Sequence, residues 1–374
     1  MQTKRGQEDK MDKLNVKQLM FFIWGTSIVG IKTYPNVFIM NAGRDAWISV
    51  IIASIILLFY LTYILHICNK SNCYDMNKIY HKALGKTMGD IFLILFIITL
   101  IITLIESSSV EANALHTNLL SETPPWFFLL FILIPAIYVT EKGTRAVTIV
   151  TIMVIFLTFV AGINLAILTA KYKDYSYLLP IMANGVTSSF VLSIIKVLGC
   201  YGSVAICFPF LSKVTNKSKI TKYSIIAILI VIQMEIISTS GVLATFGDVR
   251  ALRINYPKLI QTQLVSFFDF LEGGEFYVML QMVGGWFVKY FLTLNAILIL
   301  LKNFSLFNKY SIYIVTLIVF PISYFVSAKV IFLYKFLNLY VYFSAVSFIL
   351  IPVIIFSLYY IKIKKSKNKI FKKT

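Results

Sequence analysis

Apolar residues fill this chain in runs of about 20, separated by short stretches where lysine, glycine, proline and asparagine gather. A run of that length is what an α-helix needs to cross the apolar core of a bilayer, where only a segment that satisfies its own backbone hydrogen bonds survives. About ten crossings are predicted, centred near Trp24, Leu57, Ile102, Leu133, Phe156, Ile195, Leu229, Phe287, Val319 and Ile349. The first run is too long for a cleavable signal and no small-residue cleavage site follows it before Asn41-Ala42-Gly43, so it is expected to stay in the protein.

Two of the runs are written loosely. The first contains "GTSIVGIKTYP", from Gly25 to Pro35, and the sixth contains "GCYGSVAICFP", from Gly199 to Pro209. Each opens on a glycine, closes on a proline ten positions later, and carries an internal glycine with small or hydroxyl residues between. Glycine weakens a helix and proline removes a backbone donor, so both segments are expected to unwind within the membrane. The sixth crossing comes five after the first, so the second copy runs in the opposite direction. The pattern predicts two inverted five-helix repeats, residues 14–170 and 184–362, in a single all-α transmembrane domain over 1–374 with helices 1 and 6 broken. Paired breaks of this kind mark a central binding site in transporters built from inverted repeats. Gly25, Thr26, Ser27, Gly30, Gly199, Tyr201, Gly202 and Ser203 are therefore the candidate ligand-binding residues at the breaks. The competing reading is that these small residues only let helices approach closely.

Composition agrees with membrane residence: of 374 residues, 59% are hydrophobic and 14% charged. The net charge of +19 is carried mainly by lysines at the amino terminus, in alternate loops and in a tail over 362–374. Basic residues are retained on the cytoplasmic side, so an even number of crossings with both termini cytoplasmic satisfies the bias. The excess charge is then a topology signal and an attraction to anionic lipid, and nucleic acid is not an expected partner. Cys68, Cys73, Cys200 and Cys207 show no paired metal spacing, His66, His81 and His116 are scattered, and no glycine-rich phosphate loop precedes a helix. Neither an enzyme nor a resident cofactor or metal is expected.

Ionisable residues inside crossings need partners or water. They are Lys32 beside the first break, Glu106 in the third run, Lys196 before the second break, Glu235 in the seventh and Lys289 in the eighth. In a fold of this kind the third and eighth helices face the broken ones, so Glu106 and Lys289 are candidates to hold a ligand's ammonium and carboxylate or to pair with each other. Glu106 opens a polar run, "ESSSVEAN", whose hydroxyls suit a cavity better than a lipid face. Lys32 either snorkels outward or joins the site, Lys196 either lines the cavity or pairs structurally, and Glu235 is expected to be a structural partner. In the outer connection, Leu259, Ile260, Leu264, Phe267 and Phe268 recur at roughly helical spacing, which predicts a surface helix that caps an outward pocket or meets another protein.

The stretch "KLNVKQLMFFIWGTSIVGIKTYPNVFIMNAGRDAWISVIIA" from Lys13 to Ala53, and within it Ala42, Gly43, Asp45, Ala46, Trp47 and Ser49, resembles the spore-germination permease family, the B subunits of bacterial germinant receptors, in the amino acid–polyamine–organocation superfamily. "LLSETPPWF", "EKGTRAV", "LLPIMANGV" and "YPKLIQTQLVSFFDFLEGGEF" extend the likeness over nearly the whole chain. The resemblance implies a LeuT-like fold in the spore inner membrane. It also implies assembly with a larger membrane A subunit and a lipoprotein C subunit, and recognition of a small nutrient germinant, an amino acid first among them. A proton- or sodium-coupled amino acid transporter is the alternative, since it needs the same central site, and a scaffold subunit with a vestigial pocket is the third.

Overall fold

In the computed structural model of the chain, which describes residues 13–267, 271–272, 274–304, 308 and 310–371, the apolar runs are helices. The first crossing starts at a capping box. Asn15 is extended, its backbone N–H donates to Gln18 Oε1 at 2.7 Å, and its own side chain accepts from the first turn of α1, Val16–Ser27. The crossing continues as α2, Val29–Thr33, and α3, Asn36–Ala42. The second is α4, Ala46–Ser71; a short amphipathic helix α5, Met76–Leu84, then leads into the third, α6, Lys86–Asn118. The fourth and fifth are α7, Pro125–Glu141, and α8, Gly143–Leu168.

The sixth begins as α9, Ser188–Tyr201, and tightens at Gly202 into a 3-10 segment, Gly202–Lys213. The seventh is α10, Ile220–Arg253, which breaks near its end at Gly247, where φ is 65° and only glycine is unstrained. After α11, Pro257–Gln263, come the eighth, α12, Glu275–Asn303, and the ninth, α13, Ser311–Ser327. The tenth joins α14, Val330–Ser344, through a π turn over Ala345–Leu350 to α15, Ile351–Phe371. Seven segments are long and apolar enough to span alone, and α7, α13 and the interrupted first crossing bring the described residues to ten.

The first and sixth crossings, which lead the two inverted five-helix sets, are the interrupted ones, and α1 packs along the 3-10 segment. Thr26 Oγ1 lies 3.6 Å from Cys207 Sγ, and the rings of Phe22 and Phe210 meet edge to face at 5.1 Å. α12 packs most extensively on α8 and α6, so the eighth crossing sits at the centre. Around this core, Phe131, Ile134, Phe156, Leu317, Phe325 and Leu339 point outward, the apolar exterior that lipid requires. In the outer connection the expected surface helix is only the seven residues of α11, with Leu259 buried beneath it. Ser266–Phe267 pairs antiparallel with Leu271–Glu272, and Phe268 lies outside the described residues, as do Lys4, Arg5 and Lys10 at the amino terminus and residues 372–374 of the tail.

Small residues set how closely the helices approach. A Cβ on Gly199 would fall 1.9 Å from the Val341 carbonyl oxygen, and Ser344 Oγ donates to the Gly199 carbonyl at 2.7 Å across the same contact. Replacing Gly199 by Ala is therefore expected to destabilise the protein by about 1–3 kcal/mol, because α14 must move as a unit. At Gly241 the added carbon would meet the flexible Lys173 side chain, Cε at 3.3 Å and Nζ at 3.6 Å, and Gln261 Nε2 at an ordinary 3.9 Å, so Gly241→Ala should be mild. Thermal unfolding in detergent checks the pair; equal shifts in Tm would remove Gly199 as a critical contact.

Candidate ligand site at the broken helices

The break in the first crossing lies at Tyr34, whose φ of −126° and ψ of 58° leave the helical region. Pro35 is the cause, since its ring clashes with a helical residue before it. The turn places the Tyr34 side chain inside the bundle, fully buried, with its ring stacked against Trp286 at a centroid distance of 6.1 Å. Its hydroxyl donates to Glu106 Oε1 at 2.7 Å.

Glu106 stands on α6 and faces Lys289 on α12. Lys289 Nζ donates to Oε1 at 2.9 Å and to Oε2 at 2.7 Å, with the two side chains 1% and 0% exposed. Ser107 Oγ adds a donor to Oε2 at 3.2 Å. The ammonium also lies over the Trp286 ring, 4.8 Å from its centroid, and 6.0 Å from that of Tyr340. Two charges this deep are tolerated because they are paired and their remaining hydrogen-bonding capacity is partly met. Groups from the first, third, eighth and tenth crossings thus converge on one occluded polar point.

Of the residues expected at the site, Glu106 and Lys289 come together directly. Gly30 borders them: a Cβ there would meet the Tyr34 hydroxyl at 3.3 Å and Cys200 Cβ at 3.8 Å. Gly25, Gly199 and Gly202 are points of close helix contact. An added carbon would lie 2.4 Å from Val288 Cγ1 at Gly25 and 2.6 Å from Ser344 Oγ at Gly202. Thr26 and Ser203 donate to carbonyls of their own helices, Thr26 to Phe22 at 3.0 Å and Ser203 to Cys200 at 3.0 Å, while Ser27 Oγ lies 3.5 Å from Thr26 Oγ1. Tyr201 shares a hydrogen bond of 2.8 Å with Ser54 on α4. Tyr34, Trp286 and Tyr340 were not among the expected site residues; the X-Pro step at Tyr34 was the one local signal for the first of them.

The other intramembrane polar groups divide sharply. Within the buried run that Glu106 opens, Ser108 meets Ser323 at 2.8 Å and Asn113 Nδ2 donates to the Ser327 carbonyl at 2.8 Å, both helix contacts, while neither carboxylate oxygen of Glu111 is hydrogen-bonded. Lys196 is structural, its Nζ donating to the Val37 carbonyl at 3.0 Å and to Asn338 Oδ1 at 2.9 Å. Lys32 is buried and does not snorkel, and its Nζ makes no hydrogen bond. Glu235 is buried as well, with neither carboxylate oxygen hydrogen-bonded. Among the described residues, no three His, Cys, Asp or Glu side chains cluster as metal ligands would.

Residues 13–330 match the sequence model of the family described as "Spore germination protein". The Bacillus anthracis protein "Spore germination protein XB" is 23% identical over 289 residues, which is 76% of this chain and 78% of that one. Among solved structures, a variant of the Eremococcus coleocola manganese transporter superposes with a TM-score of 0.63 at 14% identity, covering 90% of this chain and 77% of its own. MhsT in complex with L-phenylalanine gives a TM-score of 0.63 at 12% identity, covering 92% and 98%. At such identities the structural likeness carries the fold, that of the LeuT-type transporters.

Removing one member of a buried ion pair leaves the other unpaired, at a cost of about 3–5 kcal/mol. Glu106→Gln and Lys289→Met are each expected to destabilise the purified protein by that order, and the double variant by clearly less than their sum. Urea or thermal unfolding of the four proteins gives the coupling; additivity within about 0.5 kcal/mol would mean that the pair is not energetically linked.

Proposed function

This chain belongs to the spore germination protein family, and from that premise we propose that it is the nutrient-binding membrane subunit of a germinant receptor, taking an amino acid between Glu106 and Lys289 at the broken helices. The observation that carries the reading is the occluded Glu106–Lys289 pair beside the two interruptions. A zwitterion brings one charge of each sign. Its ammonium takes the place of Lys289 on the Glu106 carboxylate, and its carboxylate takes the place of Glu106 on the lysine, so neither buried charge is left alone. A ligand with a single charge strands one partner, and that penalty supplies selectivity.

Gly30 borders the pair, and Gly25, Thr26, Ser27, Gly199, Tyr201, Gly202 and Ser203 form the frame whose close contacts change when the pair opens. Their role in this reading is to make the two crossings bistable, with hydroxyls that satisfy backbone carbonyls in either arrangement. Because the pair is closed to solvent, the ligand enters only when the bundle opens. Signalling follows if the liganded bundle prefers a different arrangement, and about 5.5 kcal/mol of preference moves a population from 1:99 to 99:1.

In this account the chain is a multi-pass protein of the spore inner membrane with both termini cytoplasmic and repeats at 14–170 and 184–362. It passes the change to a membrane A subunit and a lipoprotein C subunit. Spores carrying Glu106→Gln are expected to need at least tenfold more amino acid to germinate, at normal protein levels. Purified wild-type protein in liposomes is expected to bind amino acid without accumulating it under a proton or sodium gradient. An unchanged dose response would overturn the site, and gradient-driven accumulation would make the chain a transporter.

A further inference from the structure

A second polar feature lies in the half of the bundle remote from both termini and does not depend on the reading above. A cavity of about 320 Å³ opens between α8, α10, α11 and α12, a volume within the range of small-ligand sites. Three lysines line it: Lys32 from α2, Lys173 from the connection after α8, and Lys258 from α11. Lys32 is 8% exposed, and its Nζ has no hydrogen-bond partner. Lys258 Nζ is steadied by Gln261 Oε1 at 2.8 Å, an uncharged acceptor.

The acid that acts on this group is Glu235 on α10, which is buried, hydrogen-bonded to nothing and in no ion pair with Lys32. Three cations against one carboxylate leave an excess of positive charge in a partly enclosed space, where like charges repel more strongly than in water. Lys258 is held well below the usual lysine range, at about 7, by burial first and then by the charges of Lys173 and Lys32, with Glu235 compensating only in part. An anion among the three ammonium groups removes that repulsion.

The rest of the wall tells what the anion is attached to. Phe159, Ile163 and Ile237 line the same cavity, and Ile163 and Ile237 are 62% and 47% exposed on the apolar outer surface of the bundle. The cavity is therefore open toward the bilayer side as well as lysine-lined within. We propose that it binds a small anionic amphiphile, its carboxylate or phosphate held by Lys32, Lys173 and Lys258 and its apolar part lying against Phe159, Ile163 and Ile237. The headgroup of an anionic phospholipid and a free fatty acid both present this chemistry.

The test uses the full chain purified in an uncharged detergent and two matched pairs of probes, octanoate with octanamide and dihexanoyl-phosphatidylglycerol with dihexanoyl-phosphatidylcholine. Binding is read as a titrated shift in thermal unfolding. At least one anion is expected to bind tenfold or more tightly than its neutral partner. Lys32→Gln and Lys173→Gln should each weaken it at least fivefold, while Lys329→Gln, away from the cavity, changes nothing. Lys173 is partly exposed, so its variant keeps the test decisive if Lys32→Gln does not fold. A response to phosphatidylglycerol alone assigns the site to lipid, a response to octanoate alone to a free carboxylate, and a response to both to the shared head chemistry. Equal binding of charged and neutral partners, no binding of either anion, or wild-type binding by the folded lysine variants would overturn the proposal.

Discussion

A carboxylate and an ammonium held 2.7 Å apart in the middle of a membrane bundle constrain everything built around them. Neither Glu106 nor Lys289 is stable there alone, so the third and eighth crossings must stay in register for each to meet the other. Trp286 and Tyr340 give the ammonium two aromatic faces, and Tyr34 gives the carboxylate a hydroxyl donor. The break at Tyr34–Pro35 is what delivers that hydroxyl, so the interruption of the first helix and the ion pair are one structural unit.

The frame around the pair is made by omission of side chains as much as by their presence. Val341 lies against Gly199, Ser344 against Gly202 and Val288 against Gly25, so the sixth crossing rests on the tenth, and the first on the eighth, through glycine contacts. In lipid, where helix association gains little from burying apolar surface, such close approach and cross-helix hydrogen bonds like Ser344 to Gly199 hold the bundle together.

Much of this was legible from residue order. Runs of apolar residues locate the ten crossings, and the two glycine-to-proline stretches mark the first and sixth as interrupted. Glu106 and Lys289 stand out because lone charges in such runs are costly. What stayed hidden depends on partners distant in sequence. The hydroxyls after Glu106 read as cavity-lining, yet Ser108 and Asn113 are spent on Ser323 and the Ser327 carbonyl, more than 200 positions away. Lys196 is indistinguishable from a site residue until Val37 and Asn338 are placed beside it. Glu235 reads as a structural partner, and that neither of its oxygens is hydrogen-bonded stays hidden, because periodicity says which face a residue occupies and nothing about whether a donor reaches it.

The central claim is that the site exchanges its internal ion pair for a zwitterion, and equilibrium binding to the purified chain tests it most directly. Each amino acid of a panel would be titrated beside its decarboxylated amine and its deaminated acid. The account predicts that at least one amino acid binds and that both of its singly charged analogues bind at least a hundredfold more weakly, about 2.7 kcal/mol, the order of an unpaired buried charge. An amine or acid that binds as tightly as its parent amino acid would contradict it.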